Sequence, residues 1–161
     1  MRIAMTDQEV LDAIGREFGT CPRPEHFTNY GHCCECWEHD ELLRSRNRDT
    51  LCVEDVGNPG WDPICFITPE GFAYYAPALA RLALAEPDPT RGTYVPQLAF
   101  HLRYDGAQNV RWQHCTAGQR KAVVALLEHM IETRAALIDE SCCADMVIEA
   151  LAVWSGAAPP N

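Results

Sequence analysis

A mainly α-helical protein is what this sequence predicts, and three observations predict it. Apolar residues recur three and four apart, as in Val10, Leu11, Ile14 and Phe18. Thr6 with Glu9, and Thr116 with Gln119, match the capping box that opens a helix. Glycines and prolines fall where helices stop and start, at Gly19, Thr68-Pro69 and Gly156. The expected architecture is all-α or mainly α: a single-domain bundle of five to six helices over residues 1–161, with room for one short β-hairpin.

The elements follow in order. Thr6 caps the first helix, Met5 and Val10 staple it, and Gly19 ends it. Cys21-Pro22-Arg23-Pro24 opens a loop that runs on to Gly31, because two prolines restrict themselves and their predecessors. A second helix is expected over residues 32–48, with Arg44, Arg46 and Arg48 favoured near its C-terminus. Residues 51–56 alternate weakly, and with residues 64–67 they would make the small hairpin, the loop Gly57-Asn58-Pro59-Gly60-Trp61-Asp62 lying between. Thr68 caps a third helix with Pro69 at its first position, while Pro77 predicts a kink or break near Tyr74. A shorter helix spans residues 94–102. The longest runs from Thr116 to about Ile138, with Val123, Leu127, Met130, Ile131 and Leu137 as core. A last helix from about Cys142 carries Met146, Val147, Ala150, Leu151 and Trp154, and the tail 157–161 is expected to fray.

A chain of 161 residues can bury a core without disulfide staples. Its formal net charge of −10 argues against nucleic-acid binding, which leaves a basic footprint, and suits a basic protein partner. No apolar run reaches the roughly 20 residues of a membrane span, and the first residues lack the apolar core of a signal peptide. A cytoplasmic location is therefore expected. There the nine cysteines would be reduced, metal-bound or buried. The Ala-rich, Arg-over-Lys composition suggests a bacterial source.

Chemistry concentrates in His32-Cys33-Cys34-Glu35-Cys36-Trp37-Glu38-His39-Asp40, which holds three thiols, two imidazoles and three carboxylates. On a helix, His32, Cys36 and His39 would share a sector of roughly 60°, with Cys34 turned away. Alternatively Cys33 and Cys36 chelate as a C-x2-C pair, completed by Cys21 and one of His26, His32 or His39. The candidate metal set is thus Cys21, His32, Cys33, Cys36 and His39, and zinc suits such ligands best. Two bland or rival readings stand beside it. Cys33 or Cys34 could be a small buried hydrophobe, or Cys33 and Cys36 a redox dithiol, although no βαβ setting surrounds them.

Elsewhere the signals are weaker. Cys142-Cys143, His114-Cys115, His101 and His129 read as packing or surface residues, and the loop around Trp61 as a lid on the core. No phosphate-binding loop or nucleophile elbow occurs. An interaction or accessory module with a structural zinc site is the leading expectation. A metal-dependent enzyme using His32, Cys36 and His39 or Asp40, with one position open to water, is the first alternative. An acidic inhibitor or immunity-type protein is the second.

Two segments carry a resemblance. Arg23-Pro24-Glu25-His26-Phe27-Thr28 leads to His32-Cys33-x-Glu35-Cys36-x-Glu38-His39-Asp40, and Phe66-Ile67-Thr68-Pro69-Glu70-Gly71-Phe72 to Tyr74-Tyr75-x-Pro77-Ala78. Together they resemble a group of uncharacterised bacterial proteins, small and largely helical, over residues 6–137. The resemblance implies no activity. It marks the first segment as a recurring pattern, in which Cys34 looks incidental.

Overall fold

The computed structural model describes residues 4–157. Nine α-helices occur among them: α1 (Asp7–Phe18), α2 (Cys34–Arg44), α3 (Val53–Val56), α4 (Pro69–Leu84), α5 (Val95–Arg103), α6 (Val110–His114), α7 (Ala117–Thr133), α8 (Ala135–Glu140) and α9 (Ala144–Trp154). The count exceeds the five or six expected because α3, α6 and α8 are one- or two-turn pieces, two of them lying where a hairpin and a continuous helix were expected.

Five helices close a ring. α4 packs on α1, α1 on α7, α7 on α9, α9 on α5, and α5 returns to α4. α4 is buried on almost every side, from Gly71 to Leu84, as a helix apolar all round must be. Ile14, Phe72, Leu79, Leu98, Leu102, Val123 and Leu126 meet where α1, α4, α5 and α7 converge, around a void of only about 10 Å³. That is about one water-sized probe sphere at most, so the centre is close-packed.

The capping boxes expected at Thr6 and Thr116 both form. Thr68 caps α4 with Pro69 at its start. Pro77 does not break this helix, which runs unbroken over Pro69–Leu84. A proline leaves the carbonyl four residues back without its donor. The next carbonyl, that of Tyr74, takes Arg48 Nε at 2.7 Å, so an outside donor serves the disturbed turn.

The hairpin is a correction. Among the described residues the extended pairings are isolated bridges, Thr28 with Ile67 and Asp88 with Gly92. Asp55 turns back onto the Cys52 N–H at 3.1 Å and starts α3. Asp62 accepts from the Ile64 N–H at 2.9 Å and starts a 3₁₀ turn, Pro63–Cys65. Local side-chain acceptors thus capture the backbone that a ladder would have used.

Other boundaries move for similar reasons. α2 begins at Cys34, with Cys33 as its cap, and ends at Arg44. Beyond it Asn47 Oδ1 accepts from the N–H groups of Asp49 and Thr50 and folds a turn. The long helix expected to Ile138 divides at Arg134, whose backbone leaves the helical region (φ −123°, ψ 24°). Ile138 is then the buried residue, while Ile131 is exposed and Leu137 half-buried. Cys142 takes a positive φ of 51° before α9, which therefore starts at Ala144. The tail expected to fray lies outside the described residues except for Ala157, whose N–H donates to the Ala152 carbonyl at 2.9 Å.

The division at Arg134 has a purpose in the packing. Its guanidinium grips Asp7 through both nitrogens, at 2.7 and 2.6 Å, and also donates to the Leu84 carbonyl. His129 Nε2 lies 2.6 Å from the same carboxylate. The Arg134 and His129 hydrogen bonds hold the Asp7 carboxyl well below the usual carboxylate range. A depressed carboxyl contributes stability above its unfolded pKa near 4 and loses it as pH falls toward the native value. Asp7 is about half exposed, so solvent reduces the effect. Asp7→Asn should cost about 1 kcal/mol at neutral pH. In denaturant titrations the gap between variant and wild type should narrow steadily below about pH 4. A gap independent of pH would refute the ionic clamp.

Candidate metal centre

The dense segment is held in place from behind by Asp40. Its side chain is 1 % exposed and His26 Nδ1 lies 2.7 Å from Oδ2. Oδ1 accepts from the N–H groups of Phe27 at 2.6 Å and Thr28 at 3.1 Å. Thr28 Oγ1 in turn donates to the Cys36 carbonyl at 2.7 Å, and His26 stacks on Tyr30. The loop before α2 is therefore bound to the inner face of α2 itself. Asp40 is fully engaged and is no ligand candidate.

At the outer end, His32, Cys33 and Cys36 come together, one donor atom from each lying within 4.8 Å of the others. His32 and Cys33 are exposed and Cys36 is buried. Cys33 caps α2 through its sulfur, which accepts from the Cys36 N–H at 3.4 Å. His32 Nδ1 stands 3.8 Å from Cys36 Sγ. The Cys36 N–H, then His32 and the Cys36 thiol, bring the Cys33 thiol down to about 7. The hydrogen bond to Cys33 pushes Cys36 up. One exposed thiol is thus readily ionised, while its buried neighbour keeps its proton.

The other two residues of the expected metal set lie elsewhere. Cys21 Sγ accepts from Gln119 Nε2 at 3.3 Å, on the side of the molecule facing α7. His39 is wholly buried, between the rings of Trp61 and Phe66 at 4.6 and 4.8 Å. Glu35 Oε1 lies 3.5 Å from its Nε2, yet neither ring nitrogen has a hydrogen-bond partner. A helix from His32 would have put His32, Cys36 and His39 on one face; α2 begins two residues later, at Cys34. His32 still reaches Cys36 from outside the helix, whereas the Trp61 and Phe66 rings hold His39 apart from that group.

A second His/Cys group forms around the Asp62 turn. Asp62, Cys65 and His101 also bring one donor atom each within 4.8 Å. His101 Nε2 sits 2.7 Å from Asp62 Oδ2, with both side chains nearly inaccessible. Gln97 Nε2 donates to the same oxygen at 3.0 Å. Burial and the Asp62 carboxylate push the exposed Cys65 thiol up, against the opposing pull of Arg111. Sequence reasoning missed this group. Its signal was an aspartate and a cysteine three apart after a proline-rich loop, with the histidine far downstream.

Residues 7–155 match the model of a family of unknown function, DUF6714, and the chain belongs to that family. No curated protein and no solved structure matches it.

In metal-free protein, iodoacetamide labelling followed by peptide mapping should show Cys33 modified at a rate that climbs through about pH 7, because the thiolate is the nucleophile and predominates above its pKa. Cys36 should lag behind it at every pH. A Cys33 rate that rises only near the ordinary thiol value would mean that the Cys36 N–H does not point at its sulfur.

Proposed function

We propose that this protein is a zinc-binding accessory module, the ion being held by His32 Nδ1, Cys33 Sγ and Cys36 Sγ at the N-terminus of α2. The convergence of these three donor atoms within 4.8 Å carries the reading. Nitrogen and sulfur ligands of tetrahedral zinc stand roughly 3.5 Å apart, and the His32–Cys36 separation of 3.8 Å is close to that. One ligand precedes the helix, one caps it and one lies inside it, so the ion would fasten the Asn29–His32 turn to α2. His32 and Cys33 are exposed, so water or a donor from a partner would complete the coordination.

Charge argues for the kind of partner. The chain carries a formal −10, and exposed Glu38 and Glu41 lie on α2 beside exposed Trp37. A basic protein surface complements that face. The reading places the protein in the cytoplasm: all nine cysteines are unpaired, as a reducing compartment would keep them, and among the described residues no helix is long and apolar enough to cross a membrane.

Metal analysis of protein purified without a histidine tag tests this directly. Cys33→Ser/Cys36→Ser should retain the fold, because Asp40 holds α2 from the other side, and contain one equivalent less zinc than the wild type. Wild-type protein containing less than about a tenth of an equivalent would overturn the reading. A Cys33–Cys36 disulfide in the peptide map of such metal-free protein would assign the pair to dithiol chemistry, which the exposed and buried thiols of a C-x2-C helix start also suit.

A further inference from the structure

We propose that Asp62, Cys65 and His101 form a second metal site, independent of the first, whose open coordination position faces an apolar cleft. The ligand set is a carboxylate, a thiolate and an imidazole, all accepted by zinc, and three protein ligands plus one open position is the pattern of reactive rather than structural zinc. Asp62 caps the 3₁₀ turn that Cys65 ends, and the donor atoms of both lie within 4.8 Å of that of His101. The turn therefore aims both toward His101 on α5.

Charge and access both fit. Asp62 and an ionised Cys65 together bring two negative charges, which a divalent ion neutralises in a place where an unpaired charge would be costly. Glu35 also acts on Cys65 from α2, adding negative potential, and Arg111 opposes it. The Arg111 guanidinium, however, is turned to the carbonyls of Ile64 and His101. The carboxylate is already oriented by the Ile64 N–H and Gln97, an outer shell of the kind that fixes metal ligands. Loading replaces the hydrogen bond between His101 Nε2 and Asp62 Oδ2: the two atoms part from 2.7 Å to the roughly 3.3 Å of two tetrahedral zinc ligands, the ion takes the Nε2 lone pair, and the Cys65 thiol proton leaves to solvent.

The cleft beside the group measures about 340 Å³ and is walled by Pro59, Pro96, Phe100 and Met146, with Asp62 and Cys65 on its lining. That volume falls within the range of small-molecule sites. A molecule with an apolar body and a carbonyl or carboxylate oxygen would place the body on these walls and the oxygen on the ion.

Cobalt(II) titration of untagged Cys33→Ser/Cys36→Ser tests the site apart from the first one. The expected result is one equivalent bound with a cysteinate-to-cobalt charge-transfer band. The band should vanish when Cys65→Ser is added, a change at an exposed position that leaves Asp62 and His101 intact. No band in the double variant, or one that survives Cys65→Ser, overturns the proposal. If the double variant does not fold, Cys65→Ser alone must lower the wild-type metal content from two equivalents to one. Benzohydroxamate should perturb the cobalt spectrum at about tenfold lower concentration than acetohydroxamate, since its ring buries apolar area in the cleft. Equal potency would show that the cleft plays no part.

Discussion

The structure around the candidate sites depends on one buried carboxylate. Asp40 gathers two backbone N–H groups and an imidazole from the loop before its own helix. The carbonyl of Phe27, whose N–H Asp40 binds, accepts from Thr68 N–H at 2.7 Å. Thr68 is the cap of the central helix α4. A short relay of hydrogen bonds therefore joins the dense segment to the core. Loss of one partner in such a buried set leaves the others unsatisfied, which costs far more than the net worth of a single bond. Gly71 completes the junction: a Cβ there would meet Ile67 Cγ1 at 2.8 Å and Phe27 Cδ1 at 3.0 Å. Only a residue without a side chain lets α4 start this close to the loop.

Legibility in the sequence followed the range of the interaction. Thr6 with Glu9, Thr116 with Gln119 and Thr68 with Pro69 act within one turn, and each helix start is where those residues put it. The apolar spacing likewise exposed the ring helices. The weak alternation of residues 51–56 misled, because Asp55 and Asp62 bind local N–H groups that a pattern of apolar residues does not register. Arg134 could not be foreseen as a helix break, since its reason is Asp7 at the other end of the chain.

The same rule divides the candidate sites. His32, Cys33 and Cys36 lie within five residues, inside the one segment the sequence singles out, although the sequence readings joined them to Cys21 or His39 instead of to each other alone. His39 shared their segment but not their surroundings, which Trp61 and Phe66 supply from another part of the chain. Asp62 and His101 are 39 residues apart, and nothing local joins them. The 3₁₀ turn at Pro63–Cys65 packs on α2 and is flanked by Trp61 and Phe66, which enclose His39. The turn that carries Cys65 thus rests on the helix that carries Cys36.

The basic residues tell a different story from the acidic ones. Six arginines, Arg23, Arg48, Arg81, Arg111, Arg120 and Arg134, donate to main-chain carbonyls. Arg48 alone brackets the end of α1 through Phe18, Gly19 and Cys21. The planar fork of arginine spans several oxygens at once, which an ammonium cannot do, and the chain contains a single lysine. A protease that cuts after basic residues must first seat the free side chain in its specificity pocket. Here many of those side chains are already occupied as brackets, so tryptic cleavage would track the opening of the fold rather than the exposure of its loops.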